Sequence, residues 1–341
     1  MNRRNQILAI LLAVQIVAAA IALVLPAQAS NRTLKPLMSQ VTAADVTALT
    51  IQEQPDRRVR IAKQGDAWVL PEVEDFPVNA TKVAELLDKL TGIQVGQPVA
   101  TTATSHARLQ VSEENFARRV DLTTNAGDRT LFLGSARGGS SHVRLGGSDD
   151  VFLTPKLATF DVPSDLVSWI NTTYFTATEA AVGQVALANI SGTLQFQRNV
   201  SDAWEFKGLA AGERFNPSRL ETILSRVSSL YMVRPLGKTA KPEYGLDRPT
   251  ATLTLTLKSD LSSLAPLVLQ IGAKQESDSA YVVKASNSPW YVLVNSFIVE
   301  DIVNAKREDF VEPEPTITPP PTLTPPPTPV LPPEATSTPT P

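Results

Sequence analysis

The sequence predicts an α+β protein of two tandem homologous units, each a twisted, mainly antiparallel sheet with an amphipathic helix packed on it. Three observations lead there. The first is an internal repeat, which fixes architecture before any single element does. Asp66-Ala67-Trp68 followed by Asn79 through Leu90 recurs as Asp202-Ala203-Trp204 followed by Asn216 through Val227, at separations of 136 residues for the tryptophans and 137 for the asparagines. The second is strict apolar/polar alternation around that motif, the period of half-buried strands. The third is a pair of Asn-led stretches with apolar residues at i, i+3, i+4 and i+7, one face of a helix.

Composition narrows the function classes. The 341 residues have room for two domains. A net charge of −3 without a basic stripe argues against nucleic acid as a partner. The absence of cysteine removes disulfides, thiolate metal sites and thiol catalysis.

In chain order, Arg3 and Arg4 precede an apolar run from Ile7 to Leu25, broken only by Gln15. Its 19 residues approach the ~20 needed to span a bilayer as a helix. The arginines before it favour an N-terminus in the cytoplasm and an exported remainder. Residues 1–29 are thus expected to be a membrane anchor, with cleavage after Ala27-Gln28-Ala29 as the competing reading. Residues 30–43 are expected to be a juxtamembrane linker.

The first unit is expected over 44–178. Val46–Ile51 and Val59–Ile61 alternate, and Ala67–Leu70 returns after the Gly65-Asp66 turn. Asn79 reads as an N-cap, with Val83, Leu86, Leu87 and Leu90 on the buried face and Gly92 as the stop. Strands follow at 119–123 and 128–133, with a further hairpin at 143–153 and a helix starting at Ser164. The second unit, 183–310, repeats this order. Asn216 caps its helix, Pro217 stands at N1 where its missing N–H costs nothing, and Leu220, Ile223, Leu224 and Val227 form the face. In 313–341, 13 of 29 residues are proline and none is basic. Residues 311–341 are therefore expected to be a disordered, extended tail.

These features together resemble a bacterial tandem domain-of-unknown-function family encoded beside gliding-motility-type ABC transporter components. The N-terminal apolar segment, the Trp-ending strand, the Asn-capped helix, Tyr244-Gly245-Leu246-Asp247-Arg248-Pro249 and Gln270-Ile271-Gly272 carry the resemblance, over roughly 44–310. The first unit departs from it, with His106-Ala107-Arg108-Leu109-Gln110-Val111 where Tyr-Gly-Leu would stand. The resemblance implies an exported, membrane-tethered accessory protein, with no catalytic residues to transfer.

Each candidate site has a plain structural reading. Trp68 and Trp204 could stack on sugars, but pack a hairpin onto a helix more simply. Trp290, Tyr281 and Tyr291 stand under the same choice. His106 and His142 lie in Ser-, Thr- and Gly-rich stretches without metal-ligand spacing and are expected to be solvated. Gly134–Ser141 precedes a strand rather than a helix, so it reads as a hairpin loop and not a phosphate cradle. Glu72, Glu74 and Asp75, like Asp149 and Asp150, lack calcium-loop spacing and are expected in solvated turns. The Asn-x-Ser/Thr matches at Asn31, Asn79, Asn171, Asn189 and Asn199 are expected to be chance. No catalytic, metal or cofactor-binding residue is assigned. The expectation is a non-enzymatic extracytoplasmic scaffold or accessory subunit. A cell-envelope binder of glycan or peptide is the alternative, and a hydrolase ranks last.

Overall fold

The computed structural model describes residues 12–16, 34–258 and 265–312. Two eight-stranded antiparallel sheets dominate. Across the first, the order is Val151–Thr154, Ser140–Leu145, Arg129–Arg137, Arg118–Thr124, Val46–Glu53, Arg57–Gln64, Ala67–Leu70, Phe76–Pro77. Across the second it is Tyr291–Asn295, Ala280–Ala285, Leu267–Gln275, Ala251–Leu257, Val182–Asn189, Gly192–Arg198, Trp204–Phe206, with Arg234–Gly237 added beyond Tyr291–Asn295. Seven strands therefore correspond in order. Each sheet adds one strand without a counterpart: Phe76–Pro77 at one edge of the first, Arg234–Gly237 at the opposite edge of the second.

An amphipathic helix stands at the same place in the order of each unit. In α1, Ala80–Thr91, Asn79 Oδ1 accepts from the N–H groups of Thr81 and Lys82, satisfying donors that the helix cannot satisfy itself. Val83, Leu86, Leu87 and Leu90 are its buried residues, the face read from the sequence. In α2, Ser218–Ser228, Leu220, Ile223, Leu224 and Val227 are buried. Pro217 already has helical φ and ψ, and Asn216 Oδ1 accepts from Ser218 N. Both asparagines are held alike. Asn79 N donates to Trp169 O at 2.8 Å, and Asn216 N to Phe310 O at 3.0 Å.

The helix expected from Ser164 is not formed; only a short 3-10 turn, Val167–Trp169, is present. Asp165 Oδ1 takes the Ser168 N–H, and Trp169 Nε1 donates to Pro163 O. Such local side-chain bonds compete with a helical ladder. The second unit does build a helix in the corresponding place, α3, Ser296–Val303. Asp301 ties α3 to α2 through Arg219 at 2.8 Å and Arg226 at 2.5 Å.

Each unit receives the chain that precedes it in the same slot. Lys35–Pro36 pairs with Gln94–Val95 just after α1, and Thr173–Thr176 pairs with Ser229–Tyr231 just after α2. Leu37, Met38 and Val41 are buried, so this part of the stretch read as a polar linker is packed into the first unit.

A smaller core lies on the far face of each sheet. In the first unit Leu109, Val111, Phe132 and Val151 form it; in the second, Tyr244, Ala280, Val282 and Leu293. The covering segments cross a glycine at the same place. A Cβ at Gly134 would sit 2.1 Å from Leu109 O, and one at Gly272 2.0 Å from Tyr244 O. The first unit's departure from the Tyr-Gly-Leu pattern is thus one of sequence and not of architecture.

The apolar run Ile7–Leu25 lies outside the described residues apart from 12–16, which are helical; of the tail expected over 311–341, residues 313–341 lie outside them, whereas Val311 pairs with Phe215 and Glu312 N donates to Arg214 O at 2.9 Å, so these two residues belong to the second unit. Among the described residues no helix is long and apolar enough to cross a membrane.

Candidate functional site at the junction of the units

The two strands without counterparts lie on the edges where the units meet. After Ala67–Leu70 the chain turns through Glu74 and Asp75, both with positive φ, 52° and 65°. This projects Glu74 across the junction. Its Oε2 accepts from Lys238 N at 2.7 Å and Thr239 N at 3.0 Å. These bonds, Lys238's first, hold its carboxyl below the usual glutamate range. Gly237 permits the clasp twice over: its φ is 111°, and a Cβ there would stand 2.8 Å from Glu74 Oε1.

Beside the clasp, Phe76 packs against Trp290 with ring centroids 4.7 Å apart, and Lys238 Nζ lies 4.4 Å from the Trp290 ring centroid. Tyr174 OH donates to Trp290 O at 2.6 Å and accepts from Ala285 N at 2.8 Å. Burial pushes the Tyr174 phenol up from its ordinary value. One contiguous core cluster includes buried residues of both units. A cleft of about 300 Å³ remains, lined by Phe76, Pro77, Asn79, Tyr174, Met232 and Trp290 among others. That volume is at the lower end for a small-molecule site.

The structure distributes the other candidates differently. Trp68 and Trp204 are half-buried against the main core. Arg198 lies 4.3 Å over the Trp204 ring, whose Nε1 has no partner. Tyr281 is buried, and Tyr291 packs on Tyr244 at 5.3 Å. The expectation of solvated histidines is overturned. His106 and His142 are 7% and 5% exposed. His106 Nε2 lies 3.0 Å from Asp149 O, and His142 Nδ1 lies 2.6 Å from Ser135 O. The segment crossing the back of the sheet buries them, which no local pattern announces. Glu74 likewise leaves its expected solvated cluster for the clasp, while Glu72 pairs with Arg58 and Asp75 accepts from Gln64. Gly138-Gly139 does form a hairpin turn, and Gly134 serves the close crossing instead. Asn189 donates from Nδ2 to the carbonyls of Ile302, Val303 and Ala305 at the end of α3, a structural role. No group of three His, Asp or Glu that could hold a metal occurs among the described residues.

Glu74, Gly237 and Tyr174 were not singled out by sequence reasoning as junction residues. The available signal was the break in the repeat: Phe76–Pro77 and Arg234–Gly237 have no equivalent in the other unit.

Fold and junction together define a tandem α+β module. A family described as Domain of unknown function (DUF4340) matches residues 68–249, which run from the first repeat tryptophan across the clasp to Pro249. The match spans just over half of the sequence, and the chain belongs to this family. No curated protein and no solved structure matches it.

Proposed function

We propose that this protein is a membrane-tethered, non-enzymatic scaffold that serves outside the cytoplasm as an accessory subunit of a transporter-type membrane complex. The observation that carries the reading is the junction. A two-lobed binder that closes on a ligand needs a joint free to open. Here the joint is occupied by the Glu74 clasp, the Phe76–Trp290 contact and the Tyr174 bonds. A scaffold has the opposite requirement, two surfaces at a fixed spacing. Trp290, which lines the junction cleft, is already engaged by Phe76 and Lys238. The apolar run Ile7–Leu25 supports the tether, and the resemblance to a transporter-linked family supports the partner. Affinity purification from gently solubilised membranes is the test. Reproducible co-recovery of transporter subunits is expected; repeated recovery of this chain alone would overturn the proposal.

A further inference from the structure

We infer that the α1 C-terminal end of the first unit rests on the bilayer surface, with Phe160 at the headgroup level. The inference builds on the tether reading above. Eight residues, 26–33, separate Leu25 from the first described residue of the unit, Leu34. At ~3.3–3.6 Å per residue they reach at most about 30 Å, whatever their conformation. Leu34 is pinned next to Lys35, which pairs with Val95 just past α1. On the tether reading the unit therefore stays within that reach of the membrane, and the surface around residues 89–95 is the part of the unit next to the point where the link enters it.

That surface has the chemistry of an interfacial contact. Phe160 is 82% exposed, Leu34 54% and Val99 48%. Single exposed apolar side chains are ordinary on protein surfaces, so exposure alone argues nothing. Position does. Phe160 adjoins Asp161, whose carboxylate meets Lys89 Nζ at 2.5 Å in the last turn of α1. Asp161 Oδ2 also accepts from Ala158 N, so the loop backbone holds the ring outward. Lys156 Nζ bonds Gly92 O, the α1 cap carbonyl, at 3.3 Å, and Leu37 N bonds Ile93 O at 2.9 Å. Lys35 is exposed beside them. Exposed Phe and Leu side chains flanked by lysines suit the water–lipid boundary. Asp88 and Asp161 offset part of that charge, so the contact rests chiefly on apolar side chains.

The cysteine-free chain allows a clean test. The full-length protein is reconstituted in vesicles of phosphatidylcholine, alone or mixed with phosphatidylglycerol. It carries one environment-sensitive dye at Phe160→Cys or, as control, at Ile190→Cys, a hairpin tip of the second unit that is 95% exposed. Blue-shifted emission quenched by lipid-borne quenchers at 160, with solvent-like emission at 190, is expected in both lipids. Co-flotation with the vesicles but identical behaviour of the two probes overturns this placement and leaves the tether standing. Failure to co-float overturns the tether, and the placement with it.

Discussion

Trp290→Ala should weaken the molecule and free the two units from each other. The half-buried ring keeps on the order of 100 Å² from water, about 2.5 kcal/mol at ~25 cal/mol per Å². Its tilted contact with Phe76 adds ~0.5–1.5 kcal/mol, and the ammonium of Lys238 about 0.5 kcal/mol. The total, about 3.5–4.5 kcal/mol, agrees with the ~3–5 kcal/mol usual for truncating a packed tryptophan. The carbonyl that accepts from Tyr174 stays in place, so the loss is that of the ring. Two assays follow. Denaturant unfolding should show a lower midpoint. Spin labels at Phe160→Cys and Ile190→Cys, one per unit, should give a single narrow distance in the parent and a broad distribution in the variant. An unchanged midpoint with an unchanged narrow distance would refute the view that this side chain locks the junction.

Three further outcomes are expected. Glu74→Gln should destabilise the protein at neutral pH. Because the bonds from Lys238 and Thr239 hold the folded-state carboxyl below the ordinary glutamate value, its contribution is present above that value and lost as pH falls through the folded pKa; the gap between variant and parent should therefore close in acid, as read from unfolding midpoints across pH. Gly134→Ala and Gly272→Ala should each cost at least the ~1–3 kcal/mol of overpacking, since the obstacle is a backbone carbonyl; near-parent melting would mean that the crossing segments stand further off. Met38→Ala should cost ~2–5 kcal/mol although it falls in a stretch that reads as linker, and calorimetry showing no change would place residues 34–43 outside the fold.

What could be read from the sequence was whatever has a short period. The faces of α1 and α2 and the main hairpins repeat every two or about 3.6 residues, so neighbours declare them. The junction has no such declaration: Glu74 and Lys238 are 164 residues apart, and their meeting depends on where two whole sheets dock. The burial of His106 and His142 failed for a related reason. Ser- and Gly-rich flanks signal a loop, but His142 lies on the strand Ser140–Leu145 and His106 begins the segment that settles over Gly134, and only the meeting of strand and segment closes both to water. At Ser164 the apolar spacing favoured a helix, and the Asp165 and Trp169 side-chain bonds outweighed it.

The shared slot after each helix also sets an order of events for a chain that emerges from its N-terminus. The segment that fills the slot of the first unit, Lys35–Pro36, is made before the unit it completes, and so is Thr173–Thr176 for the second. Neither unit has to wait for downstream sequence to close that slot. Glu74 is different: water holds its carboxylate until Lys238 and Thr239, 164 and 165 residues later, have followed it out. Assembly of such a molecule is vectorial. Each unit condenses in turn: the clasp forms once Lys238 and Thr239 are made, and Trp290, later still in chain order, reaches Phe76 on the same edge and registers that the second unit has arrived.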